Sequence, residues 1–262
     1  MKTTLYFFTG TGNSLKVARD LSEKLEDCEL VPIAKVWQEE NLASKSEKVG
    51  FVFPLYYYGL PKIIFDFVNK INLDKTDYVF AVITMGGEWE GASFKQLEKI
   101  LITKSKSLNA GFIVTMPSNF ILDQNIYPED QEKELLKKSI IQIEKISEIV
   151  KKNIQNLEID INQKKGRIIE RANITFHKKV YESDEHFLAD EKCNNCGICE
   201  KICPVNNIIL VEGKPQWQHK CQQCFACINY CPEKSIQHGK RSVGRGRYHH
   251  PEITVKDLIN QK

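Results

Sequence analysis

At 262 residues, with 42% hydrophobic and 27% charged side chains, the chain has room for one large domain or two smaller ones and the make-up of an ordinary globular protein. Its net charge of +3 is too small to require nucleic acid or an anionic membrane as a partner, and no stretch reaches the roughly 18 apolar residues of a spanning helix. The N-terminal MKTTLYFFTGTGNS has only a short apolar run and no small-residue cleavage site, so it reads as a first strand rather than a leader.

Residues 2–8 (KTTLYFF) end in an unbroken apolar run, as in a parallel strand buried on both faces. Thr9-Gly10-Thr11-Gly12-Asn13-Ser14 follows, and then Leu15, Ala18, Leu21 and Leu25 recur at helical spacing. A loop between a first strand and a first helix offers free amides and a helix dipole to a phosphate. It has no lysine to grip a triphosphate, and Leu15 stands where a dinucleotide loop wants its third glycine. An uncharged, hydroxyl-rich loop of this kind suits a single monophosphate. Strands are expected over 28–33, 48–54, 77–85 and 110–116, with helices after the third and fourth and a polar connection or helix over 35–47. This alternation argues for an α/β fold, a doubly wound, five-stranded parallel sheet whose ligands sit beyond the carboxyl ends of its strands. Two loops at those ends are rich in glycine and aromatic residues: Pro54, Leu55, Tyr56, Tyr57, Tyr58 and Gly59 after the third strand, and Gly86, Gly87, Glu88 and Trp89 after the fourth. Asn119, after the fifth, either caps a turn or reaches the same edge. A helix from Glu129 to about residue 156 should turn Leu136, Ile140, Ile143, Val150, Ile154 and Leu157 inward. Residues 158–185 are polar and basic and carry no legible chemistry.

The sequence then reads CNNCGICEKICP and, after a spacer, CQQCFACINYCP. Cys193, Cys196, Cys199 and Cys203, and again Cys221, Cys224, Cys227 and Cys231, fall at one uneven spacing, each run closed by proline. A single CxxC is equally a zinc knuckle or a redox dithiol. Two copies of the whole pattern are an internal duplication, and soft thiolates in fours suit iron–sulfur cubanes. Ligands that must stay reduced point to a cytoplasmic protein. The ninth cysteine, Cys28, reads as a small buried hydrophobe. Beyond residue 238 the tail is basic, with His249-His250 and a capping-box pattern at Thr254-Val255-Lys256-Asp257. It reads as a strap over anionic clusters or a docking edge, and nucleic acid is not expected as a partner.

The N-terminal half resembles flavodoxin, and the cysteine runs resemble a bacterial-type ferredoxin; the whole chain is similar to flavodoxin–ferredoxin fusions. The first resemblance implies FMN, with its phosphate in the loop Thr9–Ser14 and its ring flanked by Trp89 and one of Tyr56, Tyr57 or Tyr58, Gly59 lending a backbone carbonyl. The second implies two [4Fe–4S] clusters with crossed ligation: Cys193, Cys196, Cys199 and Cys231 on one, Cys221, Cys224, Cys227 and Cys203 on the other. The expected domains are 1–157 for FMN, 158–185 as a connector, 186–238 as a smaller α+β ferredoxin, and 239–262 as a tail. The implied function is a relay of low-potential electrons between a soluble redox protein or reductase, the clusters and FMN, without a membrane. The alternative is a flavin oxidoreductase that uses cluster-delivered electrons to reduce a small acceptor such as a quinone or flavin. No catalytic residue is assigned, and the lack of a second nucleotide loop argues against direct use of NAD(P)H.

Overall fold

The computed structural model describes residues 1–157 and 164–262. The first part of the expected connector, 158–163, lies outside the described residues. Five parallel strands, β1 (Thr3–Phe7), β2 (Cys28–Pro32), β3 (Lys48–Pro54), β4 (Tyr78–Met85) and β5 (Ala110–Thr115), form one sheet in the order β2-β1-β3-β4-β5. All five residues of β1 are buried, as are seven of the eight in β4, because helices cover both faces. Helices α1 (Asn13–Lys24) and α5 (Glu129–Lys151) pack together on one side. Helices α2 (Ile33–Val36), α3 (Lys62–Lys70) and α4 (Ser93–Ile102) form the other layer, where Ile63, Ile64, Phe67 and Ile71 are fully buried. This is the doubly wound sheet expected.

Two details differ from expectation. Along α5 the buried row is Ser139, Ile143, Ile146, Ser147 and Val150, and Ile140 is exposed. Ile140 and Ile143, three residues apart, share a helix face, but the way α5 packs turns Ser139 and Ile143 inward and leaves Ile140 at the rim. Ile154 lies past the helix end and is also exposed. Cys28 sits on the edge strand β2 and is only half-buried, though burial still pushes its thiol up to about 11.

The second unit is small and built by exchange. Helix α6 (Lys164–Lys179) and a 3₁₀ turn (Val180–His186) lead into β6 (Phe187–Ala189). The first cysteine run, with α7 (Ile198–Ile202), lies between β6 and β7 (Ile208–Val211). The second, with α8 (Ala226–Asn229), lies between β8 (Lys214–Trp217) and β9 (Ile236–His238). Strand β6 pairs with β9, and β7 with β8, both antiparallel. The entry strand of each copy thus pairs with the exit strand of the other, and Ile208 and Ile236, the equivalent residues after the two prolines, each begin an exit strand. The duplication repeats in detail. Asn195 and Gly197, and their counterparts Gln223 and Phe225, all have positive φ. Asn207 N–H donates to Cys203 Sγ at 3.2 Å as Ser235 N–H does to Cys231 Sγ at 3.3 Å.

After β9 the tail crosses back to the first unit and ends in α9 (Val255–Ile259), where the Thr254–Asp257 capping box forms and Asp257 meets Arg19 at 2.6 Å. No helix among the described residues is long and apolar enough to cross a membrane.

One buried lysine ties the layers together. Lys48 Nζ donates to the carbonyls of Val150 (2.9 Å) and Lys151 (3.2 Å) at the carboxyl end of α5. Replacing Lys48 by Met should destabilise the fold by about 1–2 kcal/mol, read as a lower urea midpoint at unchanged slope. An unchanged midpoint would show that water replaces the lysine at no cost.

Candidate functional site

The three loops singled out in the sequence leave β1, β3 and β4, which are adjacent in the sheet, so they emerge side by side. Thr9, Gly10, Thr11, Gly12 and Ser14 are buried and Asn13 half-buried. Gly12 adopts φ 100°, the left-handed region that disfavours side chains, and forms the N-cap of α1. Its N–H donates to Thr9 Oγ1 at 3.0 Å, and Ser14 Oγ meets Thr84 Oγ1 at 2.7 Å. Among the described residues, the N–H groups of Gly10, Thr11, Asn13 and Ser14 have no acceptor. Buried, unpaired amides at a helix N-terminus form a cradle for an anion, so the loop fits the monophosphate expected there. Asn119 joins it, donating from Nδ2 to Thr11 Oγ1 at 3.0 Å.

The loop after β3 is a two-residue hairpin. Tyr56 N–H donates to the Gly59 carbonyl at 3.2 Å and Gly59 N–H to that of Tyr56 at 3.0 Å, which leaves Tyr57 and Tyr58 both left-handed at φ 46° and 58°. Such turns normally take Asn-Gly, and bulky residues there cost roughly 1–3 kcal/mol each. The backbone is held by its surroundings. Ala92 N–H, in the loop after β4, donates to the Tyr58 carbonyl at 2.8 Å. Asn173 of α6, fully buried, donates from Nδ2 to the carbonyls of Tyr56 (3.0 Å), Tyr57 (3.3 Å) and Leu60 (3.4 Å) and accepts from Gln96 Nε2 at 2.9 Å. His177 Nε2 contacts the Leu60 carbonyl at 2.7 Å, and Phe176 stacks on Tyr57 at 5.1 Å. Tyr58 and Trp89 lie 5.9 Å apart at the rim, and Tyr57, Tyr58 and Trp89 are each about half exposed. Tyr56 points inward, its hydroxyl buried with no partner among the described residues and the Cys221 and Cys224 sulfurs among its electrostatic neighbours. Pro54 and Leu55 are half-buried, Leu55 N–H bonding to the Thr84 carbonyl. Gly86 and Glu88 are exposed, and Gly87 accepts from Thr115 Oγ1 at 3.3 Å.

The eight cysteines line two small pockets, four to each. Cys193, Cys196, Cys199 and Cys231 surround one, with Gly197, Ser235 and Ile236. Cys203, Cys221, Cys224 and Cys227 surround the other, with Phe187, Trp217 and Phe225. Each void therefore draws three sulfurs from one run and the fourth from the other, as the strand exchange requires. Among the described residues no three His, Cys, Asp or Glu side chains stand close enough to hold a single metal ion. Zinc draws its sulfurs to about 2.3 Å from one point; these thiols instead wall a volume, which fits a cluster. The outer void reaches the surface at the exposed Cys196, whereas Cys203, Cys224 and Cys227 of the inner one are buried. Burial pushes the Cys221 thiol up to about 12 and holds Cys224 far above its ordinary value. Sulfurs so placed stay protonated unless a cation holds them as thiolates.

The inner void abuts the loop Thr9–Ser14. A Cβ built on Gly10 would lie 2.2 Å from the Cys224 carbonyl oxygen. Gln222 Oε1 accepts from Ile63 N–H at 3.1 Å at the start of α3, and Asn229 Nδ2 reaches the Asn119 carbonyl at 3.4 Å. The tail closes over the loop from the other side. His250 N–H donates to the Thr11 carbonyl at 2.8 Å, Tyr248 Oη to Asn13 Oδ1 at 2.7 Å, and Ile253 packs on Gly12. The paired histidines do not share a ligand: His249 stacks on Tyr230 at 4.3 Å, while His250 is buried.

Sequence reasoning missed Asn173, His177, Gln222 and the tail contacts. The available signal for Asn173 was its type, since asparagine disfavours a helix interior unless its side chain has a specific partner.

Asn173→Ala should leave Gln96 Nε2 and the Tyr57 carbonyl without their partner, take one of two donors from the Tyr56 and Leu60 carbonyls, and cost about 1–3 kcal/mol, measured by equilibrium denaturation; an unchanged stability would remove the clamp from α6. His250 gives a pH dependence. Burial holds it down at about 4, with Lys16 and His249 pushing the same way and Glu252 opposing. Unfolded, it takes its proton near 6.5. Stability from the neutral ring is therefore complete above about 6.5 and lost as pH falls toward about 4. Thermal melts across that window should slope less for His250→Gln than for the wild type; equal slopes would show that the ring titrates freely.

A family model described as a flavodoxin domain matches residues 4–114, and one described as a 4Fe-4S dicluster domain matches residues 186–232. Among curated proteins, an uncharacterized polyferredoxin-like protein of Methanocaldococcus jannaschii is 34% identical over 59 residues, 22% of this chain and 26% of its own length. A component of an ion-translocating oxidoreductase complex of Methanosarcina acetivorans is 30% identical over 73 residues, 28% of each chain. The chain spans little more than a quarter of the length of these relatives. Among solved structures, a Streptococcus pneumonia flavodoxin is 14% identical, with 56% of this chain and 99% of that one covered at a TM-score of 0.33. The chain thus joins an N-terminal flavodoxin domain to a C-terminal 4Fe-4S dicluster ferredoxin domain.

Proposed function

We propose that the protein is a cytoplasmic electron carrier linking a soluble redox partner to FMN through two [4Fe–4S] clusters. The observation that carries this reading is the order of the three sites: the outer void reaches the surface at the exposed Cys196, the inner void is walled by the buried Cys203, Cys224 and Cys227, and at Gly10–Cys224 the inner site meets the loop Thr9–Ser14. On this reading Cys193, Cys196, Cys199 and Cys231 ligate the outer cluster, and Cys203, Cys221, Cys224 and Cys227 the inner. The loop Thr9–Ser14, with Asn119, holds the phosphate of FMN, and the loops Pro54–Gly59 and Gly86–Trp89 flank its ring. Clusters exchange single electrons and a flavin one or two, so the pair joins one-electron and two-electron chemistry. The chain's own part is to hold the sites in line, to keep water from the inner one behind Phe187, Trp217 and Phe225, and to expose Cys196 to a partner. The half-exposed ledge of Tyr57, Tyr58 and Trp89 favours a second reading, a flavin oxidoreductase that reduces a small planar acceptor there.

The test is an anaerobic reductive titration of the full chain with iron, sulfide and flavin quantified. About eight irons and one FMN are expected, and Cys203→Ser should alter the EPR signal of the cluster on the 221–227 run and spare that of its own run. Iron without flavin, or loss of the 193–199 signal instead, would defeat the cofactor and ligand assignments respectively. Saturable reduction of one quinone or flavin would favour the enzyme over the carrier.

A further inference from the structure

The cations of the tail are not placed alike. Lys240 and Arg241 are exposed, and Arg241 pairs with Asp123. Arg247 instead runs beneath β9 and is half-buried. Its Nη1 donates to the carbonyls of Ser242 (3.3 Å), Arg245 (3.0 Å) and Gly246 (3.3 Å), and its Nη2 to the Ile236 carbonyl (3.2 Å) and Gln237 Oε1 (3.0 Å). Nε is buried with no acceptor among the described residues. Every partner is neutral, and among the described residues no carboxylate lies within 4.0 Å. A guanidinium stays charged in any protein, and a charge taken from water without a counter-ion is strongly unfavourable.

The missing anion has a place. Ile236, whose carbonyl Arg247 grips, lines the outer void beside Cys231 and Ser235, and Ser235 N–H bonds Cys231 Sγ. Desolvation works against the charge of Arg247, and the groups that offset it are the Cys231 sulfur first and Asp190 second. Asp190 is itself half-exposed and turned to the Lys192 amide.

We propose that Arg247 is the fixed counter-charge of the outer cluster and raises its reduction potential above that of the same cluster without it. The inference rests on the ligand reading of Cys193, Cys196, Cys199 and Cys231. A thiolate-ligated cluster gains one negative charge when it takes one electron from an external reductant, with no bond made or broken. A nearby cation therefore favours the reduced form, and partial burial protects the effect from salt. Arg247 touches no ligand and acts through the field behind Ile236, which makes it a positioning residue for charge rather than a catalytic one.

The experiment is an EPR-monitored potentiometric titration of the full chain, iron and sulfide quantified, with Cys196→Ser used to assign the outer signal. Arg247→Gln should lower the reduced-to-oxidised ratio of the outer cluster about tenfold at any fixed potential, a midpoint shift of about 59 mV for one electron. The inner midpoint should not move, and Lys240→Gln should change neither. Arg247→Lys keeps the charge and loses the fork, so its outer ratio should stay within about threefold of the wild type. It also covers the case in which Arg247→Gln does not fold. Unchanged outer potentials at full iron content, equal shifts in both clusters, or a tenfold fall in Arg247→Lys would overturn the proposal. A wild type that holds no cluster at the 193–231 cysteines would overturn the ligand reading beneath it.

Discussion

The two domains meet at a place where no side chain fits. At Gly10 the backbone of the first loop meets the carbonyl of Cys224 so closely that one methyl group would part them. Electron coupling falls with distance, and a backbone-to-backbone junction is the closest approach two chains can make. The surrounding contacts all serve to keep that junction shut. Gln222 caps α3, Asn229 reaches Asn119, and Tyr248, His250 and Ile253 press on the loop from the far side. The domains are therefore one polar-stapled unit rather than two beads on a linker.

The hairpin at Tyr57-Tyr58 shows the same logic at smaller scale. Two tyrosines are held left-handed where glycine or asparagine would sit without strain. The hydrogen bonds from Asn173 and Ala92 over-determine the turn, which is the condition under which such strain persists. What the strain accomplishes is geometric: it turns Tyr56 in toward the cysteines and leaves Tyr57 and Tyr58 out at the rim.

Much of the fold could be read from sequence because its signals are local. Buried parallel strands are continuous apolar runs, and Val49 to Phe53 or Val79 to Ile83 can be little else. The cysteine spacing is likewise a covalent pattern. The misreadings arose where one residue answers to two neighbours. Ile140 fits the helical period as well as Ile143 does, and only the packing of α5 on the sheet chooses between them. Asn173, Gln222 and His250 act across long stretches of chain, through carbonyls and amides that leave no mark on composition. The tail reads as a basic strap over the clusters or a docking edge, but its contacts at Tyr248, His250 and Ile253 reach the first loop, and its basic residues divide between an exposed ion pair at Arg241 and the half-buried fork of Arg247.

The closure of the first loop by the tail also sets an order of assembly. Thr9–Ser14 leaves the ribosome long before Tyr248–Ile253 does. Roughly 230 residues separate them, on the order of ten to fifty seconds of synthesis at roughly 5–20 residues per second. For that interval the cradle of unpaired amides stands open while the sheet around it is already able to form. The tail arrives only after both cysteine runs have been made. Closure of the loop Thr9–Ser14 is thereby timed to follow the making of both cysteine runs, and a late segment of the chain acts as the latch on an early one.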